Sequence, residues 1–220
     1  NVSAFFTYAT DNLSQKLLNK TGIPDAFQGR SIENIKSSEK DWRLFIQSCL
    51  HQELVSKCGA RYYTPFFIRS TNGHGDYWLI HLSQHHRARD VMTQVHWQKN
   101  NYFIHYGKPG LDMFSMIGYI PERDTIYTGQ SDLFCFDDPA QNASIEALLH
   151  DIPHLVYARD EGISFGELFA TTCNSSPASA EIYKKAIAQL VELKQVDVIS
   201  TNGSYRRSPN TIHDKDQIIA

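Results

Sequence analysis

The alternation of apolar and polar positions changes period once, sharply, within Tyr77–Trp97, which reads YWLIHLSQHHRARDVMTQVHW. Tyr77–Leu82 is short and dense in aromatic and aliphatic residues, the pattern of a buried strand. Beyond it, Ala88, Val91, Met92 and Val95 fall at i, i+3, i+4 and i+7. That spacing predicts a helix over His85–Trp97 with an apolar stripe on one face and Arg87, Arg89 and Asp90 on the remaining surface. Upstream, Arg61–Ser70 reads as a strand, and the Asn72-Gly73 turn signal predicts that it pairs antiparallel with Tyr77–Ser83. Before the hairpin, Ser38-Glu-Lys-Asp41 has the form of a capping box. It leads into a helix carrying Trp42, Phe45, Ile46, Cys49, Leu50, Leu54, Val55 and Cys58, with Gly59 at its end. Cys49 and Cys58 then read as core thiols. Asn1–Tyr8 has the pattern of a buried strand and Asn12–Asn19 that of a short helix. A chain opening on a buried strand is expected either to be part of a longer one or to follow a cleaved tag or a short leader.

The second half changes character. Asn101–Phe136 is interrupted by glycine and proline and reads as irregular, with a short strand at Ser131–Phe136 before an Asp-Asp-Pro break. A helix is expected from about Ser144 toward Tyr157, bent or divided at Pro153. Ser164-Phe-Gly-Glu167 is a second capping box, opening a helix with Phe165, Leu168 and Phe169 on its apolar face. Ser176 and Pro177 are placed as N-cap and first residue of the next helix, which carries Ile182, Ala186, Leu190 and Leu193. Val196–Ser200 and Tyr205–Ser208 flank an Asn-Gly turn and predict a hairpin. Helix, helix, turn, helix, hairpin is the element order of a winged helix-turn-helix. The predicted organisation is an α/β portion over 1–100, an irregular connector over 101–139 and a winged helix over 140–220.

Composition narrows the chemistry. No apolar run approaches the roughly 20 residues of a membrane span. Cys49, Cys58, Cys135 and Cys173 are widely spaced with no CxxC pair, which suits reduced thiols and a cytoplasmic setting. His81, His85, His86 and His96 crowd the central stretch, and His150 and His154 are four apart. They are read as structural or surface residues rather than metal ligands. No Glu makes an HExxH pair, Pro153 is expected to distort the spacing of the second group, and His85 and His86 should point to different helix faces. There is no phosphate-binding loop and no GxGxxG. No self-sufficient catalytic site and no cofactor site is predicted in this chain.

The winged helix predicts docking to nucleic acid or to protein. If nucleic acid, the candidate residues are Lys184 and Lys185 on the reading helix and Arg206 and Arg207 on the wing. Charge opposes that choice: over 140–220 there are seven basic and ten acidic residues, within a chain of net charge −3.

Together, Tyr77–Trp97, Gly129–Phe136 (GQSDLFCF), Phe165–Cys173 (FGELFATTC), Pro177 and the final helix and hairpin resemble the C-terminal half of the three-Cys-motif partner proteins. The resemblance implies the end of a methyltransferase-like Rossmann domain, with Asn1–Tyr8 as its fifth strand and Arg61–Ser83 as its last two. A winged helix would follow. It also implies a bacterial radical-SAM-like partner protein, which carries the three cysteines of the name; none of the four cysteines here inherits a role. The glycine-rich cofactor turn and the acidic ribose-binding residue of a Rossmann domain do not occur in this sequence. The resemblance therefore implies a non-catalytic portion. The alternatives are part of an S-adenosylmethionine-dependent methyltransferase acting on nucleic acid, and a module that binds protein only.

Overall fold

The computed structural model describes residues 27–39, 45, 49, 55–56, 58–69, 76–99, 103–106, 110–111 and 133–220. The strand expected at Asn1–Tyr8, the helix expected at Asn12–Asn19 and Asp41 of the first capping box lie outside them. The chain divides into two compact units.

In the first unit, α1 (Ile32–Ser38) opens on Ser31, whose Oγ accepts the Asn34 amide, and buries Ile32 and Ile35. Ser38 thus closes a helix that the sequence pattern did not predict, instead of opening the next one. Phe45, Cys49, Val55, Ser56 and Cys58 are helical, inside the helix expected there. That helix ends in a Schellman motif: Gly59 has φ +61°, its N–H donates to Ser56 O, and the Ala60 N–H donates to Val55 O. Cys49 is buried but Cys58 is exposed, contrary to its reading as a core thiol. Cys58 occupies the cap position, where the chain turns away from the helix axis and its apolar face.

β1 (Tyr62–Arg69) and β2 (Asp76–Ser83) form the expected antiparallel hairpin, with Arg69 opposite Asp76 and Tyr62 opposite Ser83. β3 (Phe103–Tyr106) adds to the other side of β1, and β4 (Leu133–Cys135) adds to β3. The order is β2-β1-β3-β4, and every described pairing is antiparallel. β4 falls inside the strand expected at Ser131–Phe136. β3 lies in the stretch read as irregular; four residues are too few to show a period, and its partner on β1 is 35 or more positions away. A Rossmann sheet is mainly parallel. Of that expectation, the described strands supply the antiparallel hairpin.

The second unit is built on the helix α2 (His86–Lys99) and the chain from Phe136 onward. α3 (Asp138–Tyr157) starts six residues earlier than expected. The Asp-Asp-Pro stretch is its N-terminus and not a break: Asp137 Oδ1 accepts the Ala140 amide, and Pro139 sits where no amide bond is needed. Pro153 lies within the last turns of α3 without dividing it. β5 (Ile163–Ser164) leads into α4 (Phe165–Thr172), capped by Ser164 as predicted. Glu167 does not complete the capping box; its carboxylate pairs with Arg159 at 2.5 Å. A 3-10 turn at Cys173–Ser175 precedes α5 (Ala180–Glu192), then β6 (Asp197–Ile199), a second 3-10 turn at Pro209–Thr211, and β7 (Gln217–Ile219).

β7 lies between β5 and β6, antiparallel to both. The wing is therefore the loop between β6 and β7. The strand expected at Tyr205–Ser208 reduces to one bridge, Tyr205 to Ile199, because β6 takes its ladder partner from the end of the chain. The core joins Leu148, Ile152 and Val156 of α3 to Phe165, Leu168 and Phe169 of α4, and to Ile182, Tyr183, Ile187 and Leu190 of α5. Gly162 admits this closure: its φ is +73°, and a Cβ there would stand 2.2 Å from the Ile218 carbonyl oxygen.

Candidate docking face of the winged helix

In a winged helix that reads DNA, residues near the N-terminus of the second helix of the helix-turn-helix meet base edges, and the wing reaches the backbone. Here those parts are α5 and the loop from Ser200 to Asp216. The N-terminus of α5 is already occupied. Ser179, not Ser176, is its N-cap, with Oγ accepting the Ile182 amide, and Ala180, not Pro177, opens it. Residues 176–179 stay out of the helix because α2 holds their backbone. Arg89 donates from Nη2 to Ser176 O at 2.5 Å and from Nη1 to Ala178 O at 3.3 Å. Trp97 Nε1 donates to Pro177 O at 2.9 Å. Asp90 Oδ1 accepts the Ala180 amide at 2.7 Å, while its Oδ2 accepts from Gln94. A carboxylate thus sits at the positive end of the α5 dipole, where an anion is favoured.

The packed face of α2 is turned away from the one expected. Arg89, Thr93 and His96 are fully buried, at i, i+4 and i+7, whereas Met92 and Val95 are half-buried, Ala88 is exposed and Val91 is 60% exposed. The pattern rule favours apolar burial when the opposing surface is apolar. Here that surface includes the polar backbone of the helix-turn-helix bend, and a guanidinium fork matches its carbonyls. Burial pushes the Asp90 carboxyl upward, while the Ala180 amide and Arg89 pull it down. At the start of α2, Arg87 pairs with Asp214 of the wing at 2.6 Å, and that bond holds the Asp214 carboxyl below its ordinary range. His86 is half-buried with its ring edge-on to Phe169. Burial and then the neighbouring His85 push its imidazole down. The His85 and His86 rings lie 4.4 Å apart instead of on different faces, since His85 precedes the helix.

Of the four candidate nucleic-acid contacts, three are engaged within the fold. Lys184 Nζ lies 5.1 Å from the centre of the Phe165 ring. Lys185 pairs with Glu181 at 3.0 Å. Arg206 Nε lies 3.5 Å from Oδ2 of Asp216, a carboxylate only 4% exposed that also accepts the His213 amide. Arg206 thus balances a buried charge at the base of the wing. Arg207 is exposed, with no ion pair among the described residues, and borders a pocket of about 690 Å³ with Lys194, Gln195 and Asp197. The charged positions of α5 that are not buried are Glu181, Lys184, Lys185 and Glu192, and their charges cancel. Nothing in the sequence signals the roles of Arg89 and Asp90, since both look like ordinary charged surface residues of an amphipathic helix.

A family model described as the GMT-like wHTH domain matches residues 118–203, under half of the chain. The match ends in the wing, and β7 completes the three-stranded sheet beyond it. No curated protein and no solved structure matches the chain. The chain thus carries a winged helix-turn-helix domain and a small antiparallel sheet, and that domain suggests a role in binding DNA or protein. Among the described residues no helix is long and apolar enough to cross a membrane.

Proposed function

We propose that this chain is the non-catalytic C-terminal portion of a protein resembling the three-Cys-motif partners, and that its winged helix docks a protein rather than reading a DNA duplex. The observation that carries this is the Asp90–Ala180 contact: a carboxylate and the helix behind it take up the end of α5 that would approach DNA. The balanced charge of the outer positions of α5, with Glu181 and Glu192 against Lys184 and Lys185, supports the same reading, because phosphate attraction supplies much of protein–DNA affinity. The β1–β2 hairpin has the pairing that the resemblance implies for the last strands of a methyltransferase-like sheet, and the GMT-like wHTH match agrees with the winged helix. The partner implied by the resemblance is the radical-SAM-like protein.

Two measurements test the proposal. Anisotropy titrations with mixed-sequence duplex and single strands in low salt are expected to show only weak binding, with Kd at or above about 10⁻⁶ M after correction to physiological salt. Co-expression with the radical-SAM-like protein is expected to yield a complex that a Glu181→Lys/Glu192→Lys variant weakens. Tight duplex binding, lost in Lys184→Ala/Lys185→Ala and Arg206→Ala/Arg207→Ala, would overturn the reading in favour of nucleic acid. The second reading has one observation in its favour, the exposed guanidinium of Arg207 on the wing.

A further inference from the structure

A separate group of polar side chains lies on α3. His150 and His154 are both exposed and one helical turn apart, and their ring centroids are 4.9 Å apart at an interplanar angle of 63°. Pro153 does not separate them, contrary to what the sequence suggested. Asp151, beside them, is fixed from the other side: its Oδ2 accepts the Leu111 amide at 3.1 Å. Its Oδ1 lies 3.3 Å from His150 Nδ1. The loop reaches Asp151 only because residue 110 is glycine. A Cβ there would stand 2.8 Å from Asp151 Oδ2 and 3.1 Å from the Ala147 Cβ.

We propose that His150 and His154 bind a divalent transition-metal ion of the zinc, nickel or copper class, with Asp151 as a positioning carboxylate. The i, i+4 spacing puts two imidazoles on one helix face, and imidazole is a ligand suited to these ions. A proton on His150 Nδ1, donated to Asp151, leaves the lone pair on Nε2 for a metal ion. Metal-binding histidines commonly use such a carboxylate to set tautomer and ring orientation. Among the described residues no third His, Cys, Asp or Glu joins the pair as a ligand. Among the described residues the remaining coordination positions are left for water or a further ligand. This inference stands apart from the docking proposal and rests on different residues.

Calorimetric titration of the whole chain with zinc chloride alone, and with nickel chloride alone, tests it. One ion per chain is expected at the tightest site, with affinity at least about 10-fold lower in His154→Ala and about 10-fold lower in Asp151→Asn. His85→Ala, which removes one ring of the other histidine pair, should leave the titration unchanged. The exposed position of His154 makes that substitution safe for folding, and circular dichroism checks it. With copper(II), the electron paramagnetic resonance spectrum should show two nitrogen ligands in the parent chain and in Asp151→Asn, and one in His154→Ala. A parent titration indistinguishable from that of His154→Ala would overturn the proposal, as would a one-nitrogen copper spectrum in the parent.

Discussion

The carboxylate of Asp90 accepts the backbone N–H of Ala180 at 2.7 Å, across 90 positions of sequence. One side chain of α2 therefore joins Ser179 in satisfying the amides that open α5. Replacing Asp90 with Ala should cost about 1 kcal/mol, the scale of a lost helix cap, while Asn keeps the acceptor and loses less. Urea denaturation of the two variants measures the difference. Equal losses would show that the acceptor does not matter.

Arg89 carries a larger share of the same contact. Its guanidinium is fully buried, and two backbone carbonyls at the helix-turn-helix bend depend on it. Arg89→Met keeps most of the side-chain volume but leaves the Ser176 and Ala178 carbonyls without that donor. A loss of about 3 kcal/mol is expected. Arg89→Lys should recover only part of it, because an ammonium does not reproduce the planar fork. Denaturant unfolding followed by circular dichroism gives the ordering parent, Lys, Met; a Met variant as stable as the parent would contradict the role.

Acid should loosen the start of α2. The His86 imidazole is pushed down by burial and by His85, with Arg87 acting in the same direction and Asp214 and Asp90 acting against it. A histidine lowered on folding is neutral in the native state and takes up its proton more readily when unfolded. Its contribution is therefore complete above the ordinary value of about 6.5 and is lost as pH falls through the lowered native value. The melting temperature of the parent should fall between pH 7.5 and 5.5 by more than that of His86→Leu. Parallel curves for the two proteins would assign the acid sensitivity to other groups.

Gly162 should tolerate no side chain. Its left-handed backbone and the 2.2 Å approach to the Ile218 carbonyl oxygen mean that Gly162→Ala must displace β7 from β5. Destabilisation beyond about 2 kcal/mol is expected, more than the roughly 1 kcal/mol that backbone conformation alone accounts for. Hydrogen exchange at the Ile163 and Ile218 amides would locate the damage at that sheet.

What the sequence determined is local. The β1–β2 hairpin follows from two dense apolar runs around an Asn-Gly turn, and the start of α4 follows from Ser164 and the apolar residues after it. The order of helices in the winged domain was legible for the same reason: caps and helical periods are written within a few residues of where they act. Tertiary structure decided the rest. β7 emerges as a strand because β5 and β6 offer it edges on both sides, and three residues carry no period of their own. Ser179 displaces Ser176 as the cap because Arg89, Trp97 and Asp90 hold the intervening backbone from a distant helix. The apolar stripe of α2 correctly announced a helix over most of Tyr77–Trp97's second half, yet it named the wrong face. Which face is buried depends on what lies opposite, and here that is a turn of polar backbone that a buried arginine fits and a valine does not.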